Sequence, residues 1–228
     1  MMGARFWKSS SSKTGKTIRT PSHPAMIVTI MWNHRTPGIP DEMFERLPNV
    51  PITKEEVRTI QISKARLNEG DTIYDIGSGS GSVSVEAAIQ VGPSGTDLAV
   101  DRDPDAVKLT QANAAKFNLD DIIRVVPGEA VKVIPSLPVA DAVFVGGTGG
   151  DTADILRICR GRMAPGGRIV IGTILVETLA EVLGAIRDTD LDDLDITQVT
   201  VLKSRRTSTG TMMLARNPVT ILSASAPA

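Results

Sequence analysis

The stretch Thr72-Ile73-Tyr74-Asp75-Ile76-Gly77-Ser78-Gly79-Ser80-Gly81 decides the fold. An apolar strand closes on an acid, glycines then alternate with serines, and a helical pattern begins at about residue 81. Glycine is needed where a chain turns tightly or where backbone must approach a ligand with no Cβ between them. Such a turn is expected to present unpaired N–H groups at a helix N-terminus. The dinucleotide fingerprint G-x-G-x-x-G is not met. Gly77 and Gly79 fit it, but Ser82 stands where the third glycine belongs, and glycine comes one residue early at Gly81. The turn also lacks a lysine to reach a nucleotide phosphate. Near the start of the chain, Gly15-Lys16-Thr17 imitates the end of a P-loop, yet Ser10 holds the place of its first glycine.

Working outward, apolar strands are predicted at about 72–76, 97–101, 122–126, 141–146 and 168–172. Helices are predicted between them at about 81–91, 104–117, 129–135, 150–163 and 175–188. Asp103-Pro104 opens one of these with an acid as N-cap and proline in the first turn. A further helix is expected over about 54–68, with Thr53 and Glu56 as its capping box. Strictly alternating apolar strands and helices imply a parallel sheet covered on both faces, and right-handed crossovers make it doubly wound. Asp193 to Leu202 and Thr211 to Ala215 read as two further strands joined by a short basic link, hence an antiparallel C-terminal hairpin. The expectation is an α/β, Rossmann-like, mostly parallel sheet of the class I methyltransferase outline, closed by that hairpin.

Chemistry is expected at the carboxyl ends of the strands. The form D-x-G-x-G-x-G, here Asp75 to Gly81, is the one seen in S-adenosylmethionine binders. Asp101 ends the second strand, 24 residues after Gly77, where a carboxylate can accept both ribose hydroxyls. Asp103 already serves as the cap, which leaves Asp101 for that role. Ala130 in Val126-Pro127-Gly128-Glu129-Ala130 is a small wall for an adenine slot. Gly146-Gly147-Thr148-Gly149-Gly150 follows the fourth strand. It reads either as backbone close to the reacting end of a ligand or as a flexible loop. Lys203, Arg205 and Arg206 read either as a clamp for substrate carboxylates or as a solvated basic turn, and Arg102 follows the ribose acid.

Composition narrows the function. The chain has 228 residues, 41% hydrophobic and 22% charged, which excludes a disordered chain and fits one ample domain. No uncharged apolar run reaches the roughly 18 residues of a membrane span, so no membrane association is expected and a cytoplasmic location is. One cysteine, Cys159, excludes an internal disulfide framework. Both histidines, His23 and His34, precede residue 35, so the remainder has no histidine base of its own and no metal site is expected. The formal net charge of −1 is unevenly spread. Residues 1–35 hold six cations and no acid, while the rest holds 19 cations against 26 carboxylates, a net −7. Residues 1–35 are therefore read as a flexible basic extension and 36–228 as the folded domain. Targeting, a basic arm for an acidic partner, or no catalytic part at all remain open for the extension. An RNA base methyltransferase would want a basic face and stacking aromatics. The acidic domain, with Phe44, Tyr74, Phe117 and Phe144 its aromatics, speaks against nucleic acid. A non-catalytic S-adenosylmethionine-binding protein is the other alternative.

Several stretches together resemble a known family, the decarboxylating cobalt-precorrin-6B carbon-15 methyltransferases of cobalamin biosynthesis. They are Thr36-Pro-Gly-Ile-Pro-Asp-Glu-Met-Phe44, Pro51-Ile-Thr-Lys-Glu-Glu-Val-Arg58, Asp75 to Gly81, Ala99 to Ala106, Val145 to Gly150, Pro165 to Ile169, Gly210-Thr-Met-Met213 and Arg216-Asn-Pro218. The resemblance covers about residues 36–222. It implies S-adenosylmethionine as cofactor, held by Thr53, Gly77, Ser78, Gly79, Ser80, Gly81, Asp101 and Ala130. It implies a carboxylate-bearing tetrapyrrole as acceptor, with Gly147, Thr148, Gly149, Arg205 and Arg206 as candidate contacts. It also implies a homotetramer. Because the acceptor supplies the nucleophile, no strong protein base is demanded. Glu129 reads as an acid or base, or simply as a solvated helix-start carboxylate.

Overall fold

The computed structural model describes residues 32–228. The basic extension predicted for 1–35 therefore lies outside the described residues up to residue 31, and its suggested roles with it. Of the rest, Trp32 is half-buried beside Ile39 and Phe44, and Arg35 donates to the Gln90 carbonyl at 3.4 Å.

At the centre lies β1 (Thr72–Ile76), flanked by β2 (Thr96–Asp101) and β3 (Ile123–Pro127) on one side. On the other side lie β4 (Ala140–Val145) and β5 (Met163–Thr173), all parallel. Two more strands complete a seven-stranded sheet. The last strand of the chain, β9 (Val219–Ser225), runs antiparallel to β5, and β6 (Asp192–Val199) pairs with it at the edge. Helices α1 (Glu55–Ala65), α2 (Ser82–Val91) and α3 (Pro104–Lys116) cover one face. The other face carries α4 (Ala130–Val133), α5 (Thr152–Arg160) and α6 (Val176–Arg187). Alternation along the strands sorts the core accordingly. Ile73, Phe144 and Val170 face α1 and α2, while Tyr74, Val100 and Ile169 face α5 and α6. This is the doubly wound sheet expected from the sequence.

Three expectations are corrected. The C-terminus holds four strands where two were predicted. Residues 193–202 break between β6 and β7 (Leu202–Arg206), and only β7 pairs with β8 (Thr211–Ala215), as a separate two-stranded ribbon. Lys203, Arg205 and Arg206 therefore sit on a strand and not in its link. The helix predicted over 129–135 is one α turn followed by a 3-10 turn at Ile134–Ser136, since Pro135 ends the α pattern. Thr53 does not cap α1. Lys54 stands at the N-cap position without a side-chain bond, and Asp41 Oδ1, from far earlier in the chain, accepts from Glu55 N at 2.9 Å.

Asp41 belongs to a buried ionic network that explains the opening Thr36 to Phe44. Arg58 on α1 is fully buried. Its Nε donates to Glu86 Oε1 at 2.7 Å and its Nη1 to the Thr53 carbonyl at 2.5 Å and to Asp41 Oδ1 at 3.4 Å. Its Nη2 donates to the Ile39 carbonyl. Glu86, on α2, accepts in addition from Gly38 N at 3.0 Å and Ile39 N at 2.9 Å. The guanidinium also lies over the Phe44 ring, 4.7 Å from its centroid. A buried charge of this kind is tolerable only when its partners satisfy it, and removing one partner strands the other. Arg58→Ala should therefore cost about 3–5 kcal/mol of stability in urea unfolding and make residues 36–44 sensitive to protease. A loss below about 1 kcal/mol would contradict this account.

Candidate active site

The glycine turn follows β1 at the carboxyl edge of the sheet. Gly77, Gly79 and Gly81 all adopt positive φ, at 72°, 55° and 69°. Close approach adds to the demand at Gly77, where a Cβ would lie 2.5 Å from the Gly147 carbonyl oxygen. At Gly81 a Cβ would lie 2.8 Å from Thr110 Cγ2. The expectation of unpaired turn amides is corrected at four positions. Gly77 N and Ser78 N both donate to the Val100 carbonyl, Gly81 N donates to Ser78 O at 2.8 Å, and Gly79 N donates to Asp101 Oδ2 at 2.9 Å. What the turn offers a ligand is a wall without side chains, clamped to β2.

Asp101 is the clamp's second half. Its Oδ1 accepts from Asp103 N at 2.9 Å, so both oxygens are oriented by main-chain donors, and each keeps acceptor capacity. Asp103 in turn accepts from Asp105 N, as expected of the α3 cap. Beside them opens a cleft walled by Gly77, Asp101, Arg102, Ala130, Gly147 and Thr148. Ile76, Val100 and Ile155 form its apolar floor. The cleft is open to solvent on one side and has a volume of about 100 Å³. Arg102 narrows it by lying across to Gly149, where its Nη2 fills the position of a Cβ. The Thr148 hydroxyl meets that of Thr152 at 2.6 Å, tying the glycine loop to the first turn of α5.

The remaining candidates fall into two groups. Ser78 and Ser80 are buried behind the turn. Ser78 Oγ meets Thr110 Oγ1 at 3.2 Å, and the Ser80 carbonyl accepts from Asn113 Nδ2 at 2.8 Å. Thr53 lies outside the cleft walls, on a segment that crosses the turn: the Pro51 carbonyl would lie 3.3 Å from a Cβ on Gly79. Arg205 and Arg206 are exposed on β7, outside the cleft, and carry no ion pair among the described residues. Lys203 is engaged instead with Glu55 and Glu56 of α1 at 3.0 and 2.8 Å. Glu129 is exposed, and its hydrogen bond with Lys132 at 2.7 Å lowers its pKa. Burial pushes the Cys159 thiol up to about 12, so it is no nucleophile. Sequence reading missed the cleft acids Asp103, Glu129 and Asp151 as a group facing one cation, Arg102. Their spacing across three loops gave no local signal.

Behind the turn, two acids line the α2 side of the sheet. Asp75 accepts from Ser84 N at 3.1 Å and Ser84 Oγ at 2.6 Å, and burial pushes its pKa up to about 6. Asp97 is fully buried with neither carboxyl oxygen hydrogen-bonded among the described residues. Burial, and then the charge of Asp75, raise its pKa well above the ordinary carboxylate value. A carboxyl that holds its proton more tightly folded than unfolded favours folding below its unfolded pKa. That advantage is lost as pH rises through the folded value. Asp97→Asn should therefore stabilise the protein above pH 6. The melting-temperature gap to the parent should widen from pH 4 to pH 7, and a gap independent of pH would show that Asp97 ionises normally. Gly77→Ala should cost about 2 kcal/mol or more through φ and collision combined. Gly147→Ala, with open space around it, should stay within about 0.5 kcal/mol. Equal losses in thermal melts would refute the close approach.

Comparison with known proteins agrees with this geometry. A family model described as a precorrin methyltransferase domain matches residues 42–225. The probable cobalt-precorrin-6B C(15)-methyltransferase (decarboxylating) of Saccharolobus solfataricus is 40% identical over 197 residues, covering 86% of this chain and 99% of that one. Among solved structures, precorrin 8W decarboxylase from Methanobacterium thermoautotrophicum superposes with a TM-score of 0.78 at 36% identity. It covers 82% of this chain and 98% of its own. Precorrin-6y C5,15-methyltransferase from Geobacter metallireducens gives 0.77 at 32% identity, covering 83% and 96%.

Proposed function

The chain belongs to the precorrin methyltransferase family, and on that premise we propose that it methylates carbon 15 of cobalt-precorrin-6B with S-adenosylmethionine. The C-12 acetate arm loses its carboxyl group as carbon dioxide and, with a proton taken up, remains as a methyl group, so that cobalt-precorrin-7 is formed. The observation that carries the reading is the side-chain-free wall at Gly77 facing a carboxylate, Asp101, whose two oxygens are already aimed by main-chain donors.

The residues present fit an adenosyl group. Asp101 would accept the ribose hydroxyls, Ala130 with Gly128 would flank the base, and Gly77 with Gly147 would admit the chain bearing the sulfonium. When bound, S-adenosylmethionine supplies an electrophilic methyl group. The chain's own part is binding, orientation and exclusion of water. Ile76, Val100 and Ile155 line the floor with apolar surface, and a drier cleft favours a step in which charge is neutralised. Departure of carbon dioxide leaves the acceptor electron-rich, so it brings its own nucleophile. This fits residues 36–228, which contain no histidine and whose cysteine is buried.

The finer readings follow from the family. A homotetramer in the cytoplasm is proposed, with residues 36–228 as the catalytic domain and 1–35 as an extension. The ribbon β7–β8 exposes Leu202, Met212 and Met213, surface suited to a second copy. Arg205 and Arg206 are retained as partners for acceptor carboxylates, and the net −7 of residues 36–228 disfavours nucleic acid. Two measurements test the proposal together. Isothermal titration with adenosylhomocysteine should give binding that Asp101→Ala weakens by about tenfold or more, the size of a lost charge-assisted pair of bonds. Turnover with cobalt-precorrin-6B should release carbon dioxide. Absence of heat with the parent protein, or an unchanged affinity in the variant, would sink the cofactor assignment.

A further inference from the structure

The loop between β4 and α5 is the least secured wall of the cleft. Gly146, Gly147, Gly149 and Gly150 make up most of it, so it has little conformational preference of its own. Gly146 N donates to the Ile76 carbonyl at 2.9 Å. Beyond it, among the described residues, the main-chain groups of residues 147–150 make no hydrogen bond. One pair of hydroxyls ties this tip to the body of the protein, Thr148 Oγ1 and Thr152 Oγ1, 2.6 Å apart. The position of the tip matters to the cleft at two points. The Gly147 carbonyl occupies the space beside Gly77, and the Arg102 guanidinium lies against Gly149.

The two hydroxyls differ in setting. Thr152, the first residue of α5, is 1% exposed and is not one of the cleft walls. Thr148 is half-buried and lines the cleft. A hydroxyl carries one proton and two acceptor sites. Thr148 is the one hydrogen-bond partner of Thr152 Oγ1 among the described residues. Were Thr148 the donor, the Thr152 proton would be left unpaired in the interior, where an unmade bond is most costly. Thr152 therefore donates, and Thr148 keeps its own proton for the side it shows to the cleft. We propose that Thr152 is a positioning residue for the cofactor. Its hydroxyl fixes the loop tip beside Gly77 and leaves the Thr148 proton for an oxygen or nitrogen acceptor of the adenosyl group. The walls that Thr148 joins, Gly77, Asp101 and Ala130, are those given to that group above. The inference therefore rests on the cofactor reading and adds a residue that acts without touching the ligand.

The experiment is calorimetric titration of adenosylhomocysteine into Thr152→Val, which exchanges the hydroxyl for a methyl group, and into Thr152→Ser, which retains it. Thr152→Val should weaken binding by about fivefold, the worth of one hydrogen bond. Thr152→Ser should bind within about twofold of the parent, since the donor is kept. Thr148→Val should weaken binding at least as much as Thr152→Val. Adding Thr152→Val to it should cost nothing further, because the shared interaction is already gone. Thr148 is half-buried on a loop, so this arm reads the proposal even where Thr152→Val does not fold. A parental affinity in Thr152→Val or in Thr148→Val overturns the proposal. So does an equal further loss from Thr152→Val in both backgrounds, which marks a contribution to packing alone. A parental affinity joined to a raised KM for cobalt-precorrin-6B overturns it as well, since Thr148 then serves the acceptor. Absence of heat with the parent protein overturns the cofactor reading itself, a result that the variants alone cannot give.

Discussion

The fully buried guanidinium of Arg58 is the constraint from which the site is assembled. It joins α1 to α2 through Glu86, and Glu86 holds the main chain at Gly38 and Ile39. The segment 36–53 is thereby drawn over the sheet's carboxyl edge until Pro51 rests on Gly79. Asp41, in the same network, caps α1 in place of any residue next to it in sequence. The first turn of α1 in turn anchors the ribbon through Glu55 and Glu56, which pair with Lys203 and Arg216. A desolvated ion set is weak evidence for stability, and its visible effect here is positional. Here it ties three segments distant in sequence to one edge.

The glycine turn gains from that fixity. Three of its amides are spent on Val100 and on Asp101, which clamps the turn to β2 before any ligand arrives. Asp101 is oriented by the same bonds. Preorganised acceptors of this kind bind without the cost of reordering. The buried acids Asp75 and Asp97 lie just behind, and Asp97 is a net liability once ionised. Functional edges commonly tolerate such local costs when the surrounding sheet is well packed.

The legible parts of the sequence were local ones. Asp103-Pro104 declares a helix start because cap and proline act within one turn, and Gly77 to Gly81 declares a turn because positive φ is a property of single residues. The five parallel strands were legible because burial on both faces makes them continuously apolar. β6 was legible within Asp193 to Leu202, but its break from β7 was not, and β9, which ends in alternating serine and alanine, was missed. The pairing of the turn amides depends on a carbonyl from another strand, and the Arg58 network joins residues 28 positions apart. No window of sequence displays either. Arg205 and Arg206 were legible as a cluster, but their setting on a ribbon strand outside the cleft was not.

The two halves of the carboxyl edge differ in a way that matches unequal ligands. On the β1–β2 side, groups are buried, hydrogen-bonded and closely fitted, as a small ligand of constant shape requires. On the β5–β9 side, the surface is exposed, aliphatic and basic, and it is built from a turn and a ribbon rather than a pocket. The absence of a histidine beyond residue 34 is consistent with this division, because the chain's task is to align two reactive partners and not to move a proton for them.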